Sequence, residues 1–278
     1  MALWEPLSFA ISLPGTAMRD LVVSDGTRIA WGERGAGKTL LLIMGLGADH
    51  TVWEKHVAAL QRSFRCILID NRGVGSSDSP EGHYDTARMA DDAAEVLRSV
   101  GGGPAGVIGI SMGGAIAQQL AARHPELVDR MVLTASWASM NAVSEDLFAE
   151  LRDLRYVLSP AQFQRRLQLL IWSPPTYQQR AAELRAERDV PVEGAMTSHA
   201  FAAQVGACLS HDARDLLPSL ALPVLITCGR LDVFTPIAAA MELAALIPGA
   251  TVEQFHGGHA HHWEDLDRYN QLCEEFLR

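Results

Sequence analysis

Short apolar runs alternate with longer helical patterns from residue 39 onward. The runs are rich in Val, Ile and Leu, which indicates strands buried on both faces, and their alternation with helices is typical of a parallel sheet with crossover connections. Before them, the turn dipeptide Asp25-Gly26 lies between Leu21–Val23 and Arg28–Trp31, so we expect a hairpin that starts the sheet antiparallel. We predict the remaining strands at Leu40–Met44, Cys66–Ile69, Ala105–Ile110, Met131–Thr134, Val224–Cys228 and Thr251–Phe255.

Amphipathic helices lie between these strands. In Thr86–Val100, apolar residues such as Met89, Ala93 and Val96 recur on one helical face, and Met112–Arg123 has the same periodicity. Two further helices are predicted near the end of the chain, at Pro236–Ile247 and Asp265–Leu277.

The alternation stops between Trp137 and about Ser219. This stretch reads as amphipathic helices rich in Leu, Arg, Glu and Gln, interrupted by Ser173-Pro174-Pro175. We therefore predict an all-helical cap at residues 137–219, inserted between a first part of the α/β core at 1–136 and a second part at 220–278.

Composition and charge narrow the class of protein. Of 278 residues, 48% are hydrophobic and 20% charged, which is ordinary for a globular chain that buries a sizeable core. The formal net charge of −10 argues against nucleic acid or an anionic membrane surface as a partner, since both attract basic surfaces. A small-molecule substrate is the expected partner, and the oligomeric state is left open.

Cysteine usage and the first residues indicate a location. Met1–Pro14 has no basic region, and no apolar run approaches the roughly 20 residues of a spanning helix. The four cysteines have no C-x-x-C spacing and are predicted to be core residues in a reducing compartment: Cys66, Cys208, Cys228 and Cys273. We expect a soluble, cytoplasmic protein.

A candidate nucleophile stands where a buried strand meets an amphipathic helix. Gly109-Ile110-Ser111-Met112-Gly113 fits G-x-S-x-G, and a serine on a sharp strand-to-helix turn needs small neighbours on both sides. The turn exposes the hydroxyl at the carboxyl edge of the sheet, where open α/β sheets bind ligands. The alternative is a glycine-rich helix start with Ser111 as its cap.

A serine hydroxyl needs a base to remove its proton. Of ten histidines, His259 follows the last strand in Gly257-Gly258-His259, a loop whose glycines can bring the ring back over the sheet edge. Its histidine neighbours could suggest a metal site, but no carboxylate or thiolate pattern fits one, so no metal or other cofactor is expected. The imidazolium needs an acid, and Asp232 lies just beyond Val224–Cys228.

Backbone N–H groups are the expected stabilisers of an oxyanion. One is the N–H of Met112, directly after the nucleophile. The other is most plausibly the N–H of Leu46, in Gly45-Leu46-Gly47 after the first parallel strand, although those glycines could simply form a tight turn.

With these residues in view, the chain resembles the α/β-hydrolase superfamily over nearly its whole length. The shared motifs stand in the family's order: Met44–Gly47, Asp70–Ser77, Gly109–Gly114, Gly229–Asp232 and Gly258-His259. Within the superfamily the chain is most similar to small bacterial carboxylesterases and 3-oxoadipate enol-lactonases, and its segment His259–Glu264 also resembles meta-cleavage C–C bond hydrolases. One departure is Met44, which stands where many members have a histidine that braces the oxyanion loop.

The resemblance implies a mostly parallel eight-stranded sheet, a helical lid and a cofactor-independent serine hydrolase that cleaves a small ester or lactone. Trp137 and Trp172 are candidate pocket residues, although packing between lid and core explains either equally well. His50 could touch substrate but is more simply a surface residue, and Arg72 could reach the site but is more simply structural. C–C bond hydrolysis and a non-catalytic ligand receptor stay open as alternatives.

Overall fold

An eight-stranded sheet forms the centre of the protein in a computed structural model that describes residues 16–101, 103–188 and 196–278. The strands follow the order β1-β2-β4-β3-β5-β6-β7-β8 across the sheet. β2 is antiparallel to β1 and β4, and every other neighbouring pair is parallel. The strand bounds are β1 Arg19–Val22, β2 Arg28–Gly35, β3 Lys38–Ile43, β4 Phe64–Ile69, β5 Ala105–Ile110, β6 Val128–Thr134, β7 Val224–Gly229 and β8 Thr251–Phe255.

The predicted hairpin and parallel strands are confirmed. Gly26 has a φ of 86°, which suits glycine, and its N–H donates to the Val23 carbonyl at 2.8 Å to close the turn. The predicted bounds of β5 and β8 agree with the structure, whereas β4 begins earlier, at Phe64, and β6 begins earlier, at Val128. Charged residues interrupt the apolar pattern there, Arg65 in β4 and Asp129 and Arg130 in β6, so the pattern alone did not extend to these strand starts.

Helices cover both faces of the sheet. The predicted bounds of α2 and α3 are confirmed, and the sequence pattern did not indicate the short helices α1 and α10. The helices are α1 Glu54–Leu60, α2 Thr86–Val100, α3 Met112–Arg123, α4 Ala142–Val157, α5 Pro160–Ile171, α6 Pro174–Gln179, α7 Ala181–Glu187, α8 Ser198–Ser210, α9 Ile237–Leu246, α10 His261–Glu264 and α11 Leu266–Leu277.

The core has two apolar layers, one on each face of the sheet. Along β3, Leu41 and Ile43 join the layer that contains α2 and α3, whereas Leu40 and Leu42 join the layer that contains α1 and α11. All four side chains are fully buried. Burial of each contributes roughly 1.5–3 kcal/mol, so both faces of β3 stabilise the strand whose end approaches Ser111.

The segment between β6 and β7 contains α4 to α8, and we call it the cap. Its two ends meet beside the sheet, because Ser139 and Asp212 form an antiparallel bridge and the Ala213 N–H donates to the Ala138 carbonyl at 2.9 Å. Ser173 caps α6 at its N-terminus, and Pro174 occupies the first turn, where proline is tolerated. The division of the chain at residues 137 and 219 stays a prediction.

Candidate active site

Ser111 occupies the sharp turn between β5 and α3. Its φ of 55° and ψ of −118° are uncommon for a residue with a side chain, and such strain is held only where surrounding bonds determine it. Those bonds are present: the Ser111 N–H donates to the Thr134 carbonyl at 2.8 Å, and the Ser136 hydroxyl donates to the Ser111 carbonyl at 3.1 Å. Ser111 therefore occupies a strained turn between a strand and a helix, as the sequence predicted, and its role as nucleophile stays a prediction.

The glycines around Ser111 are required by close approach of the backbone. A Cβ on Gly109 would lie 2.3 Å from the Gly113 carbonyl oxygen, and one on Gly113 would lie 2.1 Å from the Ile43 carbonyl oxygen. Both distances are well inside van der Waals contact. A larger residue at either position would push α3 away from β5 and β3.

Asp232 and His259 are in direct contact. The Oδ2 atom of Asp232 lies 2.8 Å from Nδ1 of His259 and accepts the Thr235 hydroxyl at 2.6 Å. The Oδ1 atom accepts the backbone N–H groups of Phe234 and Thr235 at 2.8 and 3.0 Å. Burial alone would raise the pKa of Asp232, but the His259 charge and these hydrogen bonds outweigh it and hold the pKa below its usual value.

An ionised Asp232 also sets the tautomer of His259. A carboxylate only accepts hydrogen bonds, so Nδ1 of the imidazole carries a proton and donates it to Asp232. The ring packs against Phe234 with 5.0 Å between centroids. The orientation of the His259 ring is thus fixed from two sides, by Asp232 and by Phe234.

Parallel strands bring these residues to one edge. Ser111 follows β5, Asp232 follows β7 and His259 follows β8, and all three strands run in the same direction. Their carboxyl ends therefore lie at the same edge of the sheet, which is where open α/β sheets place ligand sites.

The loop after β3 passes directly beside Ser111. A Cβ on Gly45 would lie 3.1 Å from the Ser111 Cβ and 3.6 Å from its Oγ, so the loop backbone is close to the hydroxyl. Within the described residues, the N–H groups of Leu46 and Met112 form no hydrogen bond to a protein acceptor. Leu46 lies in the loop beside Ser111, and Met112 directly follows Ser111 in the chain.

Two side chains brace this loop in the absence of the family's histidine. The Asn71 amide donates to the Met44 carbonyl at 2.9 Å. Gln204 of α8 accepts the Gly47 N–H at 2.9 Å. Asn71 lies in a motif visible in the sequence, whereas Gln204 is 157 residues from Gly47 and no local pattern marks it.

The structure corrects the interpretation of His50 as a surface residue. His50 is 8% exposed, and its Nδ1 lies 2.8 Å from Oδ1 of Asp70. Asp70 is fully buried and needs donors, which explains why the imidazole turns inward. Burial alone would lower the pKa of His50, but the Asp70 carboxylate outweighs it and raises the pKa.

Arg72 has the structural role that the sequence favoured. Its guanidinium forms two hydrogen bonds with Asp92, at 2.7 and 2.8 Å, and one with Asp25 at 3.0 Å. It also lies over the Tyr84 ring. A guanidinium paired in this way joins the β4 end to α2 and the hairpin turn.

Trp137 and Trp172 are both buried, and they lie in different layers of the core. Trp137 borders a small cavity together with Phe234 and Thr235, which are neighbours of Asp232. Trp172 packs on Trp263, with 6.1 Å between ring centroids, and under the guanidinium of Arg180. Trp137 is thus closer to the acid of the site, and the pocket role of either residue stays a prediction.

The described residues give no sign of a metal centre or a membrane span. No group of three or more His, Cys, Asp or Glu side chains in that part of the chain could hold a metal ion. No helix within 16–101, 103–188 and 196–278 is both long and apolar enough to cross a membrane. The predicted burial of the four cysteines is confirmed, and none of them forms a disulfide.

Comparison with known proteins agrees with this architecture. A family model described as the alpha/beta hydrolase fold matches residues 38–266, and the chain belongs to this family. The chain is 29% identical to "Putative carbamate hydrolase RutD" of Serratia proteamaculans over 242 residues, which are 86% of this chain and 90% of the relative.

Two solved structures are similar in both fold and sequence. The enol-lactonase from Burkholderia xenovorans LB400 has a TM-score of 0.84 and 25% identity, covering 93% of this chain and 99% of that one. The meta-cleavage product hydrolase CumD from Pseudomonas fluorescens IP01 has a TM-score of 0.78 and 25% identity, covering 93% and 96%. The protein is therefore a hydrolase of the α/β fold. The names of its relatives refer to the cleavage of different kinds of bond.

Proposed function

We propose that the protein is a serine hydrolase that cleaves a small ester or lactone through an acyl-enzyme. The observation that carries the proposal is the Asp232–His259 contact of 2.8 Å at the sheet edge where Ser111 occupies its strained turn. A paired acid and base beside a serine on such a turn are the groups that acyl transfer needs.

The proposed reaction has two halves. The Ser111 Oγ attacks the carbonyl carbon while His259 Nε2 takes the hydroxyl proton, and the leaving alcohol departs with that proton. Water then attacks the acyl group, giving one proton to His259, and the Ser111 oxygen regains it as the carboxylic acid is released. The N–H groups of Leu46 and Met112 stabilise the oxyanion in both halves.

A neutral, mostly apolar acyl group is the preferred substrate. Arg72 is committed to Asp92 and Asp25, so its charge does not serve to bind a substrate carboxylate. Trp137 and Phe234 border the cavity next to Asp232, and apolar walls of this kind suit an alkyl or aryl chain.

The names of the relatives suggest further kinds of substrate bond to test besides the ester. Carbamates and enol-lactones both contain an acyl carbon that the same serine could attack. A C–C hydrolase must also ketonise a dienol, which needs polar groups to hold the acidic end of the substrate. Glu264, the acid in the segment that resembles C–C hydrolases, cannot hold such a group, because a carboxylate repels another acid; it accepts hydrogen bonds from Ser173, Thr176 and Gly258.

We also propose that the protein works in the cytoplasm. All four cysteines are buried and form no disulfide, as is usual in a reducing compartment.

The deciding experiment combines a substrate panel with Ser111→Ala. The panel contains p-nitrophenyl acetate, butyrate and octanoate, several lactones, a phenyl carbamate and a meta-cleavage dienone. We expect the highest kcat/KM on an ester or lactone, and we expect Ser111→Ala to lose several orders of magnitude in kcat with an unchanged Tm.

Three outcomes would contradict the proposal. A dienone kcat/KM about tenfold above the best ester, roughly 1.4 kcal/mol of transition-state preference, would favour C–C hydrolysis. A Ser111→Ala variant with the parental rate would remove Ser111 as the nucleophile. If the unmodified protein hydrolyses no compound of the panel but binds one of them tightly, the alternative of a non-catalytic ligand receptor would be favoured.

A further inference from the structure

Gln204 connects the cap to two loops of the first half of the chain, the loop after β3 and the loop after β4. Its side chain is fully buried. The amide oxygen accepts the Gly47 N–H at 2.9 Å, and the amide nitrogen donates to the Arg72 carbonyl at 2.9 Å. One cap residue therefore joins the loop after β3 to the loop after β4.

The two loops are shaped to receive α8. Gly47 has a φ of 74° and Gly73 a φ of 95°, conformations that favour glycine. A Cβ on Gly47 would lie 3.5 Å from the Phe201 ring, and one on Gly73 would lie 3.3 Å from the Ala200 Cβ. These close contacts bring α8 near enough for a glutamine side chain to reach both loops.

From this geometry we infer that Gln204 is a positioning residue for oxyanion stabilisation. Gly47 is the residue after Leu46, so the bond to its N–H fixes the peptide that follows the proposed donor. The donor's angle toward the carbonyl oxygen of the substrate then depends on the cap. The inference rests on the proposed function, because an oxyanion forms only if Ser111 attacks an acyl carbon.

The rival explanation is that Gln204 only satisfies buried backbone groups. A buried donor or acceptor left without a partner destabilises the fold, so any truncation would lower stability. Stability alone cannot separate the two explanations. The cap offers a matched control, since Gln168 is also buried and its amide bonds to Leu184, Glu187 and Arg188, all within the cap.

The experiment compares Gln204→Met with Gln168→Met in the full-length protein. Tm is measured for each, together with kcat and KM on p-nitrophenyl butyrate. The inhibition constant of butylboronic acid is measured as well. When its boron bonds to the Ser111 oxygen, the boron becomes tetrahedral and one of its own oxygens occupies the oxyanion position. The displaced hydroxyl proton passes to His259.

We expect both variants to lose stability, and only Gln204→Met to lose oxyanion stabilisation. Its kcat should fall on the order of tenfold, less than for complete loss of a donor because the N–H is misplaced and not removed. Boronate affinity should weaken by a similar factor while KM changes little. Gln204→Asn, too short to reach both loops, gives a second test if the methionine variant does not fold.

The outcomes separate the inference from the proposed function. If the parent neither hydrolyses the ester nor binds the boronate, the proposed function is overturned, and so is the inference that rests on it. If the parent does both and a folded Gln204 variant matches Gln168→Met in kcat and boronate affinity, Gln204 is structural only and the inference alone is overturned.

Discussion

Each oxygen of the Asp232 carboxylate accepts two hydrogen bonds from protein groups. Two backbone N–H groups bind Oδ1, and the Thr235 hydroxyl and the His259 ring bind Oδ2. These bonds replace the water that burial removes, so the carboxylate stays ionised inside the fold. The acid can then orient the imidazole and stabilise its charged form without taking its proton.

Leu46→Pro should impair the chemical step more than binding. Proline has no backbone N–H, so the change deletes the proposed oxyanion donor, and loss of one such donor lowers kcat on the order of 100- to 1,000-fold. Kinetics on p-nitrophenyl butyrate with parallel Tm measurement test this. Leu46→Ala keeps the N–H as the control, and equal damage from both changes would mean that side-chain packing, not the donor, matters here.

Polar side chains attach the cap elements to the loops of the core. Gln118 of α3 donates to the Trp137 carbonyl at 3.0 Å, where the cap begins. Glu264 of α10 accepts the Gly258 N–H at 3.0 Å, beside His259, and the Ser173 and Thr176 hydroxyls at 2.5 and 2.6 Å. The start of α6 and the loop that holds the imidazole thus share one carboxylate.

Glu264→Leu should lower both stability and kcat. It leaves two hydroxyls and the buried backbone N–H groups of Gly258 and Ser173 without their acceptor, and each buried N–H left unpaired costs about 1–3 kcal/mol. We expect the free energy of unfolding to fall by about 3 kcal/mol in urea, and kcat to fall because the His259 loop is less restrained.

The double variant Ser173→Ala/Thr176→Val provides the comparison. It removes the two hydroxyl contacts of the cap and keeps the bonds that the backbone N–H groups of Gly258 and Ser173 donate to Glu264. Stability should fall while kcat stays close to the parental value. A kcat loss as large as that of Glu264→Leu would show that the cap contact, and not the Gly258 bond, controls the loop.

At the scale of the whole molecule, buried neutral histidines connect stability to pH. Desolvation lowers the pKa of His56, His211 and His261 from 6.5 to about 4. It also lowers the pKa of His262, whose Nδ1 lies 3.1 Å from Nε2 of His56. Each ring is neutral in the fold and binds a proton readily only after unfolding.

Acid should therefore destabilise the protein over a defined window. Below pH 6.5 the unfolded chain binds protons that the folded chain does not, so stability falls as the pH drops toward about 4. Each such histidine contributes a slope of up to about 1.4 kcal/mol per pH unit. Urea denaturation at half-unit steps from pH 8 to 4.5 measures the slope.

His211→Gln tests the assignment of this slope. It should reduce the slope by the share of one histidine, whatever it does to stability at pH 7. His256 is exposed, and His256→Gln should leave the slope unchanged. Equal slopes in His211→Gln and the parent would show that His211 is not among the groups responsible.

The sequence by itself determined the strands, the long helices and the order of the site motifs, but not the short helices α1 and α10. Apolar runs and helical periodicity specify β5, α2 and α3 to the residue, because these elements bury faces whose period is local to the chain. The glycines beside Ser111 and the position of Asp232 after β7 are equally local, since the turn and the strand end are set by neighbouring residues.

Only the tertiary structure decided the contacts made across long separations. His50 turns inward because Asp70 is buried beside it, and Gln204 reaches Gly47 because α8 packs on the loop from 157 residues away. Many members of the family have a bracing histidine where this chain has Met44. Here Asn71 and Gln204 form hydrogen bonds to the loop instead. No local preference encodes such partners, because a buried amide or imidazole takes whichever group the packing of distant elements brings within hydrogen-bond distance.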